Sequence, residues 1–354
     1  MLELLKRWYQ RTFADPEVSV LVLFIAFVVI DFILLGAILK PVVVSIVLAY
    51  LLDRIVTHLD RLRIPHSLSV LIVFFLFVTS GILAIVLLLP LLWNQVTAFF
   101  RELPTMFAKG QLLFQHFSQA YPDIISSNQV QQWFNSLNDS IGSIGQLVLS
   151  FSLNSIANAI NIIVYMVLVP FLIFFLLMDK RHLIAWAMRY APKQRGLVSR
   201  VWADINLQFA HFIQGRAIQV ILGIVVHYAV YVYFGINYPM LLAVLAGASV
   251  VIPYVGGIIA AVPILLVGII QWSLSPILLY FALANMVLSI LISYVLEPLL
   301  FAGTLSLHPI AIIISTLFFG SLFGIWGVFF AMPLASVVKA ILNAWPAPTA
   351  ESPK

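Results

Sequence analysis

Pro253, Tyr254, Gly256 and Gly257 interrupt an otherwise apolar stretch that runs from Met240 to Gln271. Proline removes a backbone N–H and clashes with the preceding helical turn, while glycine tolerates positive φ and close approach. At membrane depth, irregular backbone survives only where protein or a water-filled cavity shields it. Secondary transporters use such breaks to present carbonyls and N–H groups to a passing solute. The pattern reads either as a transport hinge, with Tyr254 gating or touching solute, or as a tight turn between packed helices. A second cluster, Gly320, Gly324 and Gly327, breaks the run from Leu307 to Leu342. Gly320 and Gly324 form a small-xxx-small pair, so the cluster reads either as close helix packing or as a second hinge of the transport pathway.

Four polar positions lie in or beside apolar runs. Asp31 sits in the middle of the first run, where an ionised carboxylate is costly. It is either a proton or cation ligand or a polar contact between helices or subunits. Glu297, followed by Pro298, closes a span, and either coordinates a cation or pairs with a loop arginine. His308, followed by Pro309, opens the last run, where an imidazole serves proton coupling or starts a helix. Arg216 stands at the entry to the fifth span, the position of an arginine that snorkels to the interface as an anchor.

The chain has 354 residues, of which 63% are hydrophobic and 9% charged, with a mean hydropathy of +1.11. A soluble protein is about 45–50% apolar and about 25% charged. The composition is that of an integral membrane protein, and long unbroken apolar runs point to helices rather than to a barrel. There is no cysteine, which excludes disulfides and thiolate metal sites. The net charge of +5 is spread over segments between spans, so it argues for membrane topology and not for nucleic acid. No HExxH, GxSxG or Walker sequence occurs. An enzyme, a cofactor and a bound metal are therefore not expected.

The expected fold is all-α, a polytopic transmembrane bundle with broken or hairpin helices in its second half. Residues 1–92 hold an amphipathic start and three spans, near 20–39, 42–52 and 67–92. Lys40-Pro41 reads as a tight turn between the first two. Residues 93–155 form an external helical region, 156–178 a fourth span, and 179–216 a basic cytoplasmic loop. Residues 217–345 form the C-terminal membrane core, and 346–354 a disordered tail. With the amino terminus in the cytoplasm, every Lys and Arg except Lys40, Arg101 and Lys109 falls on the cytoplasmic side, as the positive-inside rule asks. Both termini then face the cytoplasm. The length and the breakers of the two long runs favour hairpins, although two single crossings satisfy the charges equally well.

Several segments carry a likeness. They are IPYVGGIIAAVP at 252–263, LHPIAIIISTLFFGSLFGIWGVFFAMPLA at 307–335, YPMLLAVLAG at 238–247, VPFLIFFLLMDK at 169–180 and FIQGRAIQ at 212–219. In these the chain resembles the autoinducer-2 exporter (AI-2E) family of bacterial inner-membrane proteins. The likeness is specific in the second half and loose over 93–155. It implies a multi-pass protein of the bacterial inner membrane that forms homo-oligomers. It also implies export of a signalling molecule or sodium/proton antiport. The family's proline-glycine segment falls on Pro253, Gly256 and Gly257, and its histidine-proline and glycine cluster on His308, Pro309, Gly320, Gly324 and Gly327. The leading expectation is a secondary transporter or permease for a small solute, with or without ion coupling, whose partners are the lipid bilayer and a small-molecule or ion substrate. The alternatives are a sodium/proton antiporter using Asp31, Glu297 and His308, and a membrane scaffold that transports nothing.

Overall fold

The computed structural model describes residues 16–120, 155–189, 196–253, 255–301 and 307–344. For 16–38, 113–120, 155–162, 187–188, 196–205 and 340–344 it describes the backbone alone. Tyr254, the side chain of Asp31, the start at 1–15, most of the external region (121–154) and the tail lie outside the described residues. Those described are all helix and connecting turns, with no strand among them. In lipid each unpaired backbone group costs several kcal/mol, so an apolar run closes its hydrogen bonds internally as a helix.

Helix α1 (Pro16–Arg61) is continuous over 46 residues and passes straight through Pro41. The turn expected at Lys40-Pro41 is absent. Proline forfeits one ladder bond, but leaving the helix inside an apolar run would expose several backbone groups. The Ser45 hydroxyl donates to the Pro41 carbonyl at 2.6 Å. The two runs expected as separate spans, near 20–39 and 42–52, thus lie on one helix. Helix α2 (His66–Ala120) likewise runs 55 residues through Pro90 and Pro104. At about 1.5 Å per residue it is about 82 Å long, well beyond a hydrocarbon core of about 30 Å. Residues 93–120 therefore continue the helix of the third span.

Helix α3 (Ser155–Met178) and the short helix α4 (Lys180–Arg189) meet at a bend of 79°. The Asp53 carboxylate holds Lys180 of α4 at 2.7 Å. Helix α5 (Gly196–Phe234) absorbs the later part of the basic segment and the fifth span together. It ends in a turn where Gly235 and Tyr238 both take positive φ, 68° and 58°.

The broken stretch then appears as two helices, α6 (Pro239–Ser249) and α7 (Gly256–Trp272). They fold back on one another, so that Ala243 and Ala246 share a core with Ala260, Ile264 and Val267. At about 16 and 26 Å, neither reaches across the bilayer core. Helix α8 (Pro276–Ile290) continues into a π-helical segment, Leu291–Leu296, and the short helix α9 (Glu297–Phe301). The last run is a second folded-back pair, α10 (Pro309–Phe323) and α11 (Ile325–Ala344).

Among the described residues, four helices are long and apolar enough to cross a membrane, or five when the bent α3–α4 pair counts as one span. The chain divides into two compact units, one of residues 1–75, 168–217 and 300–354, the other of residues 76–167 and 218–299. The core of the first gathers Phe212, Ile213, Phe301, Ile312 and Met332. That of the second gathers Tyr231, Leu242, Phe281 and the α6–α7 contacts.

Candidate functional site

The second unit holds the broken pair α6–α7. At its tip the Gly256 N–H donates to the Ile252 carbonyl at 3.0 Å and the Val255 N–H to the Pro253 carbonyl at 2.7 Å. A Cβ on Gly256 would collide with the Ser249 carbonyl, whereas one on Gly257 would meet nothing within 4 Å. The two glycines thus differ: Gly256 is required by close approach, and Gly257 leaves open space beside the break. The pair is anchored at Tyr238, whose ring packs edge-on against Phe99 with centroids 5.6 Å apart. Burial, then the hydrogen bond and charge of Glu102, push the Tyr238 hydroxyl well above its ordinary range. It serves as a neutral donor.

Helix α5 presents a buried face to this pair. Gln219, Gly223, His227 and Tyr231 are each one helical turn apart and all are buried. The face is polar, within a helix otherwise rich in apolar residues. Gly223 and Gly247 bring α5 and α6 together: a Cβ on Gly223 would lie 3.3 Å from the Gly247 Cα, and one on Gly247 would run into Ile224. Tyr231 is fully buried and its hydroxyl donates to Asn285 Oδ1 of α8 at 2.6 Å. His227 is 2% exposed. Its Nδ1 lies 2.7 Å from the Gly223 carbonyl, and Nε2 is buried without a hydrogen-bond partner. A buried polar atom left in that state costs about 1–3 kcal/mol.

At the Gln219 end the π segment explains the geometry. Pro298 has no N–H to give to the carbonyl four residues back. The chain widens instead, and the Glu297 N–H reaches the Ile292 carbonyl five residues back. Single π turns of this kind recur at functional sites. The Gln219 amide donates to that same Ile292 carbonyl at 3.4 Å and to Glu297 Oε2 at 3.2 Å. Glu297 is half-buried, and this contact joins it to α5.

In the first unit, Arg216 does not adopt the exposure of an interfacial anchor. Its side chain is 2% exposed. The guanidinium carbon lies 5.4 Å from the Phe212 ring and 5.3 Å from the Phe301 ring, with Nη2 3.4 Å from Met332 Sδ. Aromatic faces and the surrounding helices enclose the cation in place of water. The glycine cluster of this unit divides its labour. Gly324 takes φ +61° and makes the turn, while Gly320 and Gly327 let α10 and α11 touch: a Cβ on Gly320 would sit 2.9 Å from Val328 Cγ2, and one on Gly327 would strike the Phe319 carbonyl. His308 caps α10, its Nδ1 accepting from the Ile310 N–H at 3.3 Å. The sequence-predicted residues fall in both units. Pro253, Gly256, Gly257 and Glu297 belong to the second unit, and Arg216, His308, Gly320, Gly324 and Gly327 to the first. No group of three or more metal-ligating side chains occurs among the described residues.

The sequence reading passed over Gln219, His227, Tyr231 and Asn285. The signal that reveals the first three is their recurrence at four-residue multiples along an apolar helix.

The family model for AI-2E family transporters matches residues 19–347. The chain belongs to the AI-2E transporter family. This transporter is 35% identical to PerM of Escherichia coli K12, a protein with a permease name, over 98% of each chain. It is 28% identical to the Bacillus subtilis transport protein YueF, over 85% of this chain and 82% of that one. Against the AI-2 transport protein TqsA of Escherichia coli K12 the identity is 22%, over 86% of each. Like the family, this transporter is a multi-pass protein of the inner membrane that moves solute across it, and it is not an enzyme.

Proposed function

We propose that this AI-2E family member is a secondary transporter for a small polar solute, whose route in the second unit runs along the buried face of α5 beside the broken α6–α7 pair. The observation that carries this reading is the placement of Gln219, His227, Tyr231 and Asn285 inside an apolar bundle. Buried polar side chains in a membrane span are expensive and mark solute or ion pathways. They stand next to a helix pair too short to cross, the kind of element that exposes backbone at a transport site. Gly257 supplies the open space at the tip, and Gly256 fixes the turn. The name of TqsA makes autoinducer-2 the first solute to try.

Ion coupling is the finer part of the reading. Glu297, held by Gln219 and adjoining a widened helical turn, is the carboxylate favoured for it; sodium/proton antiport is the alternative that the same carboxylate supports. Homo-oligomeric assembly and a coupling role for Asp31 are further parts of the proposal, drawn from the family resemblance and the sequence.

The test is flux through the purified protein in liposomes, against a panel of polar solutes and of sodium, with and without imposed proton and sodium gradients. Solute uptake that follows a gradient supports the reading. A protein that moves none of them, while correctly folded and inserted, sinks it in favour of the scaffold.

A further inference from the structure

We propose that Nε2 of His227 is a proton-binding site within the second unit. The imidazole is enclosed by the protein. Its Nδ1 lies 2.7 Å from the Gly223 carbonyl, a group that only accepts, so Nδ1 carries the hydrogen and Nε2 the lone pair. That lone pair is buried and meets no donor. The ring is therefore held in one tautomer with its basic nitrogen empty.

The surroundings suit a proton that must leave again. Helix α2 packs through Met106 on the core that holds Tyr231 and carries Arg101, Glu102 and Lys109, of which Glu102 bonds Tyr238 at the turn before α6. Helices α6, α7 and α8 bring no charge to this face. Among Pro239–Ser249 there is no titratable side chain, nor among Gly256–Trp272. Helix α8 offers only Tyr280 and the π segment only Tyr294, both exposed. On α5 itself the titratable neighbours are Tyr228, which is exposed, and Tyr231, whose ring lies 5.6 Å from the imidazole and whose hydroxyl is engaged by Asn285. A carboxylate opposite the ring would trap the imidazolium, and a fixed cation would exclude it; α6, α7, α8 and the π segment carry neither. The next ionisable group along the face is Glu297, reached through Gln219, about 12 Å along α5 from His227. The step is simple. A proton from water adds to the Nε2 lone pair, both ring nitrogens become donors, and the same proton later returns to water while Nδ1–H goes on donating to the Gly223 carbonyl.

The inference rests on the transport reading only in setting this proton beside the solute route, so its first test needs no solute. Full-length protein labelled with nitrogen-15 histidine is placed in lipid nanodiscs, and the His227 signals are assigned by their loss in His227→Gln, or in His227→Asn should the glutamine variant not fold. The expected result is that Nδ1 stays protonated while Nε2 passes from bare to protonated as pH is lowered from about 8 to about 4. An Nε2 signal unchanged across that range overturns the proposal, as does a tautomer with the hydrogen on Nε2. Flux adds a second reading: the pH dependence of solute uptake should flatten in His227→Gln and persist in Tyr280→Phe. If the parent protein moves no solute, the transport reading fails, while the titration still decides the proton site.

Discussion

The side-chain amide of Gln219 lies 3.2 Å from a carboxylate oxygen of Glu297, across 78 residues of sequence. The same amide reaches the Ile292 carbonyl inside the π segment. One buried glutamine therefore serves both a widened helical turn and the acid that follows it. Replacing it with leucine, close in volume but without a donor, should lower stability by about 1–3 kcal/mol. It should also change the dependence of flux on the coupling ion. Thermal unfolding in detergent reads the first effect, and uptake against sodium or proton concentration reads the second. Glu297→Gln should abolish ion dependence while leaving the unfolding temperature closer to the parent's.

Gly256 and Gly257 should part company under the same substitution. Gly256→Ala forces a Cβ into the Ser249 carbonyl, an overpacking that costs about 1–3 kcal/mol or more. Gly257→Ala meets open space and should stay within about 0.5 kcal/mol of the parent. A bulkier change, Gly257→Leu, should keep the fold yet slow flux by filling the space beside the break. Equal unfolding temperatures for the two alanine variants would refute the asymmetry.

Tyr231 and Asn285 form a buried pair at 2.6 Å. Tyr231→Phe leaves the asparagine carbonyl without its donor and should cost about 1–3 kcal/mol. Adding Asn285→Leu should recover part of that loss, because no polar atom is then stranded. A double-mutant cycle on thermal unfolding measures the coupling.

Gly324 takes a backbone conformation, φ +61° and ψ −141°, that side chains resist. Gly324→Ala should destabilise the α10–α11 pair by about 1–3 kcal/mol, although nothing crowds its Cβ. By contrast, removing the partly exposed Lys180–Asp53 bridge should change stability by no more than about 1 kcal/mol. That difference should shrink further as salt is raised.

Much of this architecture can be read from local chemistry. The break at 250–255 follows from Pro253 and Gly256, and the turn at 235–239 from Gly235 and Pro239, because each residue acts on its own backbone. Proline misleads at Lys40-Pro41. In water it punctuates a chain, but inside an apolar run the lost hydrogen bond is cheaper than an exit from the helix. The α5 face is harder to see. Gln219 looks like a residue of the first turn of the fifth span, and His227 and Tyr231 like scattered polar side chains. Their meaning comes from α6 and α8 covering one side of α5, and those contacts join residues far apart in the chain. Arg216 shows the same limit: its type and position suggest an anchor, and only the rings of Phe212 and Phe301 reveal that it is enclosed.

The 79° bend between α3 and α4 has a practical consequence. A span that turns so sharply sets the following helix almost at right angles to itself. Helix α4 carries Trp186 among exposed Leu183 and Ile184, with Lys180, Arg181 and Arg189 on the same short segment. An indole fixed in that way is a built-in depth gauge. With the other tryptophans replaced, its fluorescence, quenched by lipids brominated at known positions, would report the height of this elbow in the leaflet and any vertical travel of it during turnover.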